Sequence, residues 1–132
     1  MTELPFFARR HDQLRAAARG KLENGVVTDG LGYINLVSKG IGGMAVHLHL
    51  QKGYLNPGHV HPDNESFGYV ISGRMRMTVA DSQAILVPGD GWYHPKGVWH
   101  STEALEVSEA IEVHIPQRPD ILERMRPQGE EV

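Results

Sequence analysis

Eight histidines in a chain with no cysteine point first to imidazole chemistry. His59 and His61 are two residues apart. On a strand that spacing turns both rings to one face. Glu65 follows four residues after His61, past the Pro62-Asp63-Asn64 kink, close enough to return a carboxylate to that face. A second block, GDGWYHPKGVWH, ends in His100, and the turn shaped by Pro95 and Gly97 re-aims that ring inward. Three neutral imidazoles and one carboxylate form a good site for a divalent transition metal. On an octahedral-leaning ion such a shell leaves positions for water or substrate.

Other side chains are candidates with plainer alternatives. His94 shares a strand face with Trp92 just before the Pro95 turn. It is a candidate catalytic acid/base, since imidazole titrates near neutrality, or else a packed or rim histidine. His47 and His49 alternate with Val46, Leu48 and Leu50. With the apolar trio inside, these histidines are exposed or interface residues; with the opposite parity they line the pocket. Arg74 and Arg76 alternate with Met75 and Met77. The Met face is expected inside and the Arg face outside, a carboxylate clamp being the functional alternative. Tyr69, Met75, Met77, Trp92 and Trp99 are the candidate walls of a substrate pocket, with Tyr93 in the same aromatic set. Glu106, Glu109 and Glu112 lie among Val107, Ile111, Val113 and Ile115, and are expected on a solvated strand face.

The scaffold that must position these groups is short and rich in turns. The chain has 132 residues with 15 Gly and 8 Pro, which is one domain's worth of sequence cut into many short strands. Strands are expected at Val26–Val27, Tyr33–Val37, Met44–Leu50, Phe67–Ile71, Met75–Val79, Ala84–Val87, Gly91–His94 and Leu105–Ile115. Asn56, Pro57 and Gly58 read as a turn. The segment Pro5–Arg19, with Ala16, Ala17 and Ala18 and with Phe7, Leu14 and Ala18 at helical spacing, reads as an N-terminal helix ending at Gly20. Its Phe6 and Phe7 are expected to dock on the body or on a second subunit. Asp120 after Pro119 is placed to cap a short C-terminal helix running to Met125. The expected division is an N-terminal helical segment 1–24, a barrel 25–118, and a short helix and tail 119–132.

Composition removes several functions. The net charge of -3 leaves no basic surplus for nucleic acid. Without cysteine there are no disulfides, thiolate metal sites or cysteine nucleophiles. No apolar run reaches membrane length and the N-terminus lacks a signal-peptide core, so a soluble cytoplasmic protein with no membrane partner is expected.

The two histidine blocks resemble the motifs of the cupin superfamily, in particular its small single-domain, RmlC-like members. In the first motif, G-x5-HxH-x3,4-E-x6-G, Gly53, His59, His61 and Glu65 fall in register. The closing Gly73 comes one residue late from Glu65. Either the loop has one residue of slack, or Ser66 holds the usual position with Glu65 reaching from beside it. Glu65 is preferred as ligand because serine is a poor one. In the second motif, G-x5-PxG-x2-H-x3-N, Gly89, Pro95, Gly97 and His100 match, and Ala104 replaces the final Asn.

The resemblance implies an all-β double-stranded β-helix, or jelly-roll barrel. It implies one divalent ion per chain (iron, manganese, nickel or zinc) inside the barrel on His59, His61, Glu65 and His100. It points to an enzyme acting on a small oxygen-rich, acidic metabolite: a dioxygenase, or a lyase, isomerase or cyclase. The alternative is a non-catalytic small-molecule sensor. A homodimer is expected, since open sheet edges are usually covered and the N-terminal helix and first strands suit exchange between copies.

Overall fold

The computed structural model describes residues 6–20 and 31–130. The strand expected at Val26–Val27 lies outside them, as does Pro5. Among the described residues ten strands make two antiparallel sheets. They are β1 (Arg15–Ala17), β2 (Gly32–Lys39), β3 (Met44–Leu50), β4 (Leu55–His59), β5 (Glu65–Ser72), β6 (Met75–Val79), β7 (Ser82–Leu86), β8 (Gly91–His94), β9 (His100–Ala104) and β10 (Ser108–Ile115). The large sheet has the order β1-β2-β3-β10-β5-β8 and the small sheet β4-β9-β6-β7. This is a jelly-roll arrangement, mostly β, with a single short α-helix among the described residues. No described helix is long and apolar enough to cross a membrane.

Alternation along each strand decides what faces inward. Val46 and Leu50 of β3, Val70 of β5, Met75 and Met77 of β6, and Ala104 of β9 are buried in one cluster between the sheets. Hence Arg76 faces outward and pairs with Glu103 across the β6–β9 ladder, Nη1 to Oε1 2.5 Å. Ser82–Leu86 and His100–Ala104 are strands that the residue pattern left short or unread. The expected strand Leu105–Ile115 starts only at Ser108, because Glu106 and Val107 form the turn from β9. Leu55–His59 is a strand although it contains the Asn56-Pro57-Gly58 turn signal. Its pairing with β9 is irregular there, with a register shift between Asn56 and His59.

The N-terminal helix is not formed. Residues Arg10–Asp12 make one 3-10 turn, and Arg15–Ala17 adds to the sheet as β1, with Arg15 opposite Asn35 and Ala17 opposite Tyr33. Helix propensity is a weak preference that tertiary pairing overrides. Here β2 offers an open edge, and Ala16 and Ala18, spaced by two, are both buried. Phe6 and Phe7 are exposed and do not dock on the described body. The C-terminal helix α1 is shorter than expected, Pro119–Leu122, with proline in its first turn and Arg118 as N-cap. Asp120 lies inside the helix and is not its N-cap, and its carboxylate holds the Arg118 guanidinium. Ile121 of α1 and the following Met125 are buried against the core.

Candidate functional site

His59 ends β4 and lies directly opposite His100, the first residue of β9. His61 stands in the loop after β4, where its carbonyl accepts a hydrogen bond from the Gly97 amide at 2.9 Å. Gly97 has φ +74°, a backbone state that glycine adopts without strain. The turn of the second motif thus pins the loop of the first. The three rings converge, with centroids 4.4 Å apart for His59 and His61, and 4.3 Å for His59 and His100. One nitrogen from each lies within 4.8 Å of the others.

Neighbouring oxygens orient two of these rings. Asn56 Oδ1 is 2.7 Å from His59 Nδ1, and the Val98 carbonyl is 3.2 Å from His100 Nδ1. Oxygens of this kind accept protons, so both Nδ1 atoms donate and both Nε2 lone pairs remain available. Burial, helped by the other cationic groups nearby, lowers His59 from 6.5 to about 4. Burial likewise lowers His61 to about 3. His100 is also lowered by burial, against the opposing effect of the Val98 carbonyl. All three are therefore neutral near pH 7 and present lone pairs. The donor set fits a divalent transition ion.

Glu65 does not join them. It is the outward-facing first residue of β5, and its Oε2 accepts a hydrogen bond from Tyr93 Oη at 3.1 Å on the exposed side. Strand parity gives the inward place to Ser66, which is buried. Its Oγ lies 3.2 Å from His94 Nδ1 and 3.4 Å from Glu112 Oε2. The alternative alignment, with Ser66 at the motif's usual carboxylate position, is the one the fold adopts.

The rings open on a cavity of ≈ 90 Å³ also lined by Met75, Met77, Trp92 and His94. Tyr69 and Trp99 do not line it. Tyr69 faces out from β5, and Trp99 lies half-exposed over Gly58. Trp92 lies against Gly68 so closely that any Cβ there would strike the indole. From this seat its Nε1 donates to Glu112 Oε2 at 3.2 Å. His94 stacks flat on His100, centroids 3.8 Å apart at 11°, and its Nε2 is 3.2 Å from Met77 Sδ. Burial lowers His94 to about 4 despite the nearby Glu112.

Glu112 and His114 belong to the site and were not recognised in the sequence. Glu112 is expected on a solvated face, whereas its side chain is only 13% exposed and lines the cavity. Burial pushes its carboxyl up, but His114, His94 and the Trp92 N–H outweigh this and hold it at about 2. His114 Nε2 lies 3.0 Å from Glu112 Oε1, close enough for an ion pair when the ring is protonated. Its Nδ1 is 3.4 Å from the Asn64 amide nitrogen. The available signal was the alternation in β10, where Ser108, Ala110, Glu112 and His114 share one face. The rule that apolar residues go inside assigns that face to solvent, and is wrong here. Arg118 also lines the cavity, with its Nε and Nη2 donating to Asp120.

His47 and His49 lie on the outer face of the large sheet. His47 Nε2 is 3.1 Å from Glu109 Oε1, and His49 Nδ1 is 3.9 Å from the same oxygen. Asn35 links His47 to Arg15, whose Nε donates to Asn35 Oδ1 at 2.6 Å. These residues take no part in the cavity.

A family model for the Cupin domain matches residues 46–115, more than half of the chain and the stretch that carries every ring of the triad. The chain belongs to the cupin family. No curated protein matches this cupin. Solved structures do. KdgF from Halomonas sp. is 25% identical, with 88% of this chain and 96% of that one covered and a TM-score of 0.68. An RmlC-like cupin from Shewanella frigidimarina is 20% identical over 91% and 98% of the chains, with a TM-score of 0.72. The Cnp3 cupin domain of Schizosaccharomyces pombe is 13% identical over 80% and 88%, with a TM-score of 0.60. The last two likenesses concern the fold alone.

Proposed function

We propose that this cupin is a divalent-metal-dependent enzyme that moves a proton on a small, oxygen-rich acidic metabolite, as lyases, isomerases and cyclases do. One observation carries the reading. Three neutral imidazoles converge in the same small cavity as a largely enclosed carboxylate–imidazole pair, Glu112 and His114. His59, His61 and His100 would hold the ion, the first and last through Nε2. A divalent ion so bound supplies Lewis acidity that polarises a carbonyl or carboxylate oxygen.

The chain's own groups do the rest. Arg118, forked onto Asp120, is fixed in orientation and offers Nη1 to a substrate carboxylate. The Asn64 amide donates toward His114 Nδ1, which places the His114 proton on Nε2, beside Glu112 Oε1. Glu112 beside it stays ionised and is the group left to take up a proton, because the lone pair of His114 lies on Nδ1 against Asn64. In this reading His94, a candidate acid/base from its place in the sequence, serves as a wall that steadies His100 by stacking.

The test begins with metal content of protein purified without a tag column. A panel of small hydroxy and oxo acids is then incubated in deuterium oxide and followed by NMR. Metal-dependent exchange or conversion at the carbon beside a carbonyl, lost in Glu112→Gln and in His114→Ala, is the expected result. Oxygen consumption coupled to product would replace this reading with oxygenation. Tight binding without turnover across the panel would make the protein a sensor.

A further inference from the structure

Two residues outside the cavity stand next to two of the converging rings. Gly58 immediately precedes His59, and Trp99 immediately precedes His100. A Cβ built on Gly58 would lie 2.3 Å from Trp99 Cζ2, 2.5 Å from Cε2 and 2.7 Å from Nε1. No side chain fits in that space, so the indole rests on bare backbone. Trp99 does not line the cavity and is 44% exposed. Its contact with Gly58 is thus made from outside the barrel wall.

The place of this contact in the sheet gives it a task. β4 ends the small sheet and has β9 as its one neighbour among the described strands. Its ladder is interrupted. Leu55 and Asn56 lie opposite Glu103 and Thr102, and the next pair is His59 with His100. Three steps along β4 therefore answer two along β9, a bulge at Pro57 and Gly58. Pro57 has no N–H to give to a ladder. Gly58 has φ +115°, a state closed to residues with a Cβ except under strain. A bulge re-aims the side chain beside it. Here that side chain is His59, and the same bend brings Asn56 Oδ1 to its Nδ1 at 2.7 Å. A bulge on an edge strand has few hydrogen bonds to hold it in place. Trp99 is well anchored by comparison. Its carbonyl accepts the Ala80 amide at 2.8 Å, and β9 is paired on both sides, to β4 and β6.

We propose that Trp99 is a positioning residue for the metal triad. Its indole, seated on Gly58, clamps the bulge of β4 against β9 and fixes the direction in which His59 meets His100. The inference rests on the reading of His59, His61 and His100 as the holders of a divalent ion. Trp99 acts through the backbone of His59 and touches neither ion nor substrate. A ring held in its binding position beforehand loses little freedom when the ion arrives, and that saving appears as affinity.

The test uses the full chain and three readouts: calorimetric titration with zinc, the visible absorption bands of the cobalt-loaded protein, and thermal unfolding without metal. Trp99→Ala is expected to weaken zinc about 10- to 100-fold, the range for groups that orient a ligand. It should also change the cobalt bands, which report ligand geometry, while the metal-free protein stays folded. Trp99→Phe keeps a ring over Gly58 and should recover most of the affinity. Ile85→Ala, at a similarly exposed residue of the same sheet, should alter neither metal readout. A folded Trp99→Ala with wild-type affinity and cobalt bands overturns the proposal, even if it melts earlier, since its role is then structural. Trp99→Leu keeps apolar bulk without the flat ring and replaces Trp99→Ala if the latter does not fold; wild-type affinity there overturns the proposal equally. A wild type that binds neither zinc nor cobalt overturns the metal reading itself, and is told apart from the other failures because no variant is needed to see it.

Discussion

The two sheets of this barrel solve opposite problems. The small sheet follows the usual plan: Met75, Met77 and Ala104 fill the interior, and Arg76 meets Glu103 outside. The β5–β8–β10 half of the large sheet inverts it, with Ser66, His94, Glu112 and His114 inside and aromatic and aliphatic residues outside. The buried apolar side chains come mainly from the small sheet, from the N-terminal strands through β3 and from the C-terminal segment, with only Val70 and Ala110 from β5 and β10. The facing strands are released to hold polar groups that would destabilise an ordinary core. Each buried polar group there has a neighbour that limits its cost: Ser66 for His94, Trp92 for Glu112, Asn64 for His114.

This contrast can be broken or sharpened by measurement. The largest effect is expected from His100→Ala, which removes one of three ligands. It should weaken binding of zinc or nickel by more than about 100-fold, the upper range for outer partners of a ligand. His47→Ala on the outer face should leave the affinity unchanged. Calorimetric titration of the metal-free protein reads both. An equal loss in the two variants would place the ion elsewhere.

Stability comes next. Met75 is fully buried in the small sheet's interior, and Met75→Ala should cost about 2–5 kcal/mol in urea unfolding of the metal-free protein. Ser66→Ala, on the inverted face opposite, should cost about 1 kcal/mol. Similar costs at the two positions would erase the distinction between the sheets.

A smaller change is expected from Asn56→Ala. It removes the acceptor that holds His59 by Nδ1, and should weaken the metal about 10- to 100-fold while leaving the fold intact. Unaltered affinity would show that Asn56 does not set the ring.

The gentlest probe is pH. His59 and His94 are lowered from 6.5 to about 4, and His61 to about 3, chiefly by burial. Between 6.5 and those values the unfolded chain takes up protons that the fold refuses, so stability of the metal-free protein must fall as pH is lowered through this window. Glu112, depressed from 4.5 to about 2 by His114 and its other partners against the pull of burial, adds a second loss from 4.5 downward. A melting temperature unchanged from pH 6.5 to 4 would contradict the burial of these rings.

Much of this was legible beforehand. The paired motifs located His59, His61 and His100, because short-range turn chemistry at Pro95 and Gly97 constrains where those rings go. The count of glycines and prolines signalled a β architecture. The choice between Glu65 and Ser66 was not legible from spacing, because adjacent residues of a strand point to opposite faces and only the ladder to β10 and β8 sets which is inward. For the same reason Glu112 reads as solvated and His114 carries no signal in the sequence. The N-terminal strand escaped notice because alanine-rich sequence favours helix until a sheet edge competes for it.

What the residues alone determined was local: most of the turns, an architecture of short strands, and the three imidazoles of the two motifs. What the tertiary structure decided was parity. It placed Ser66 rather than Glu65 beside the cavity, aimed Glu112, His114 and Arg118 into it from distant parts of the chain, and turned Tyr69 outward. The physical reason is that a strand's two faces are chemically equal until a partner strand and a packed opposite sheet make one of them the interior.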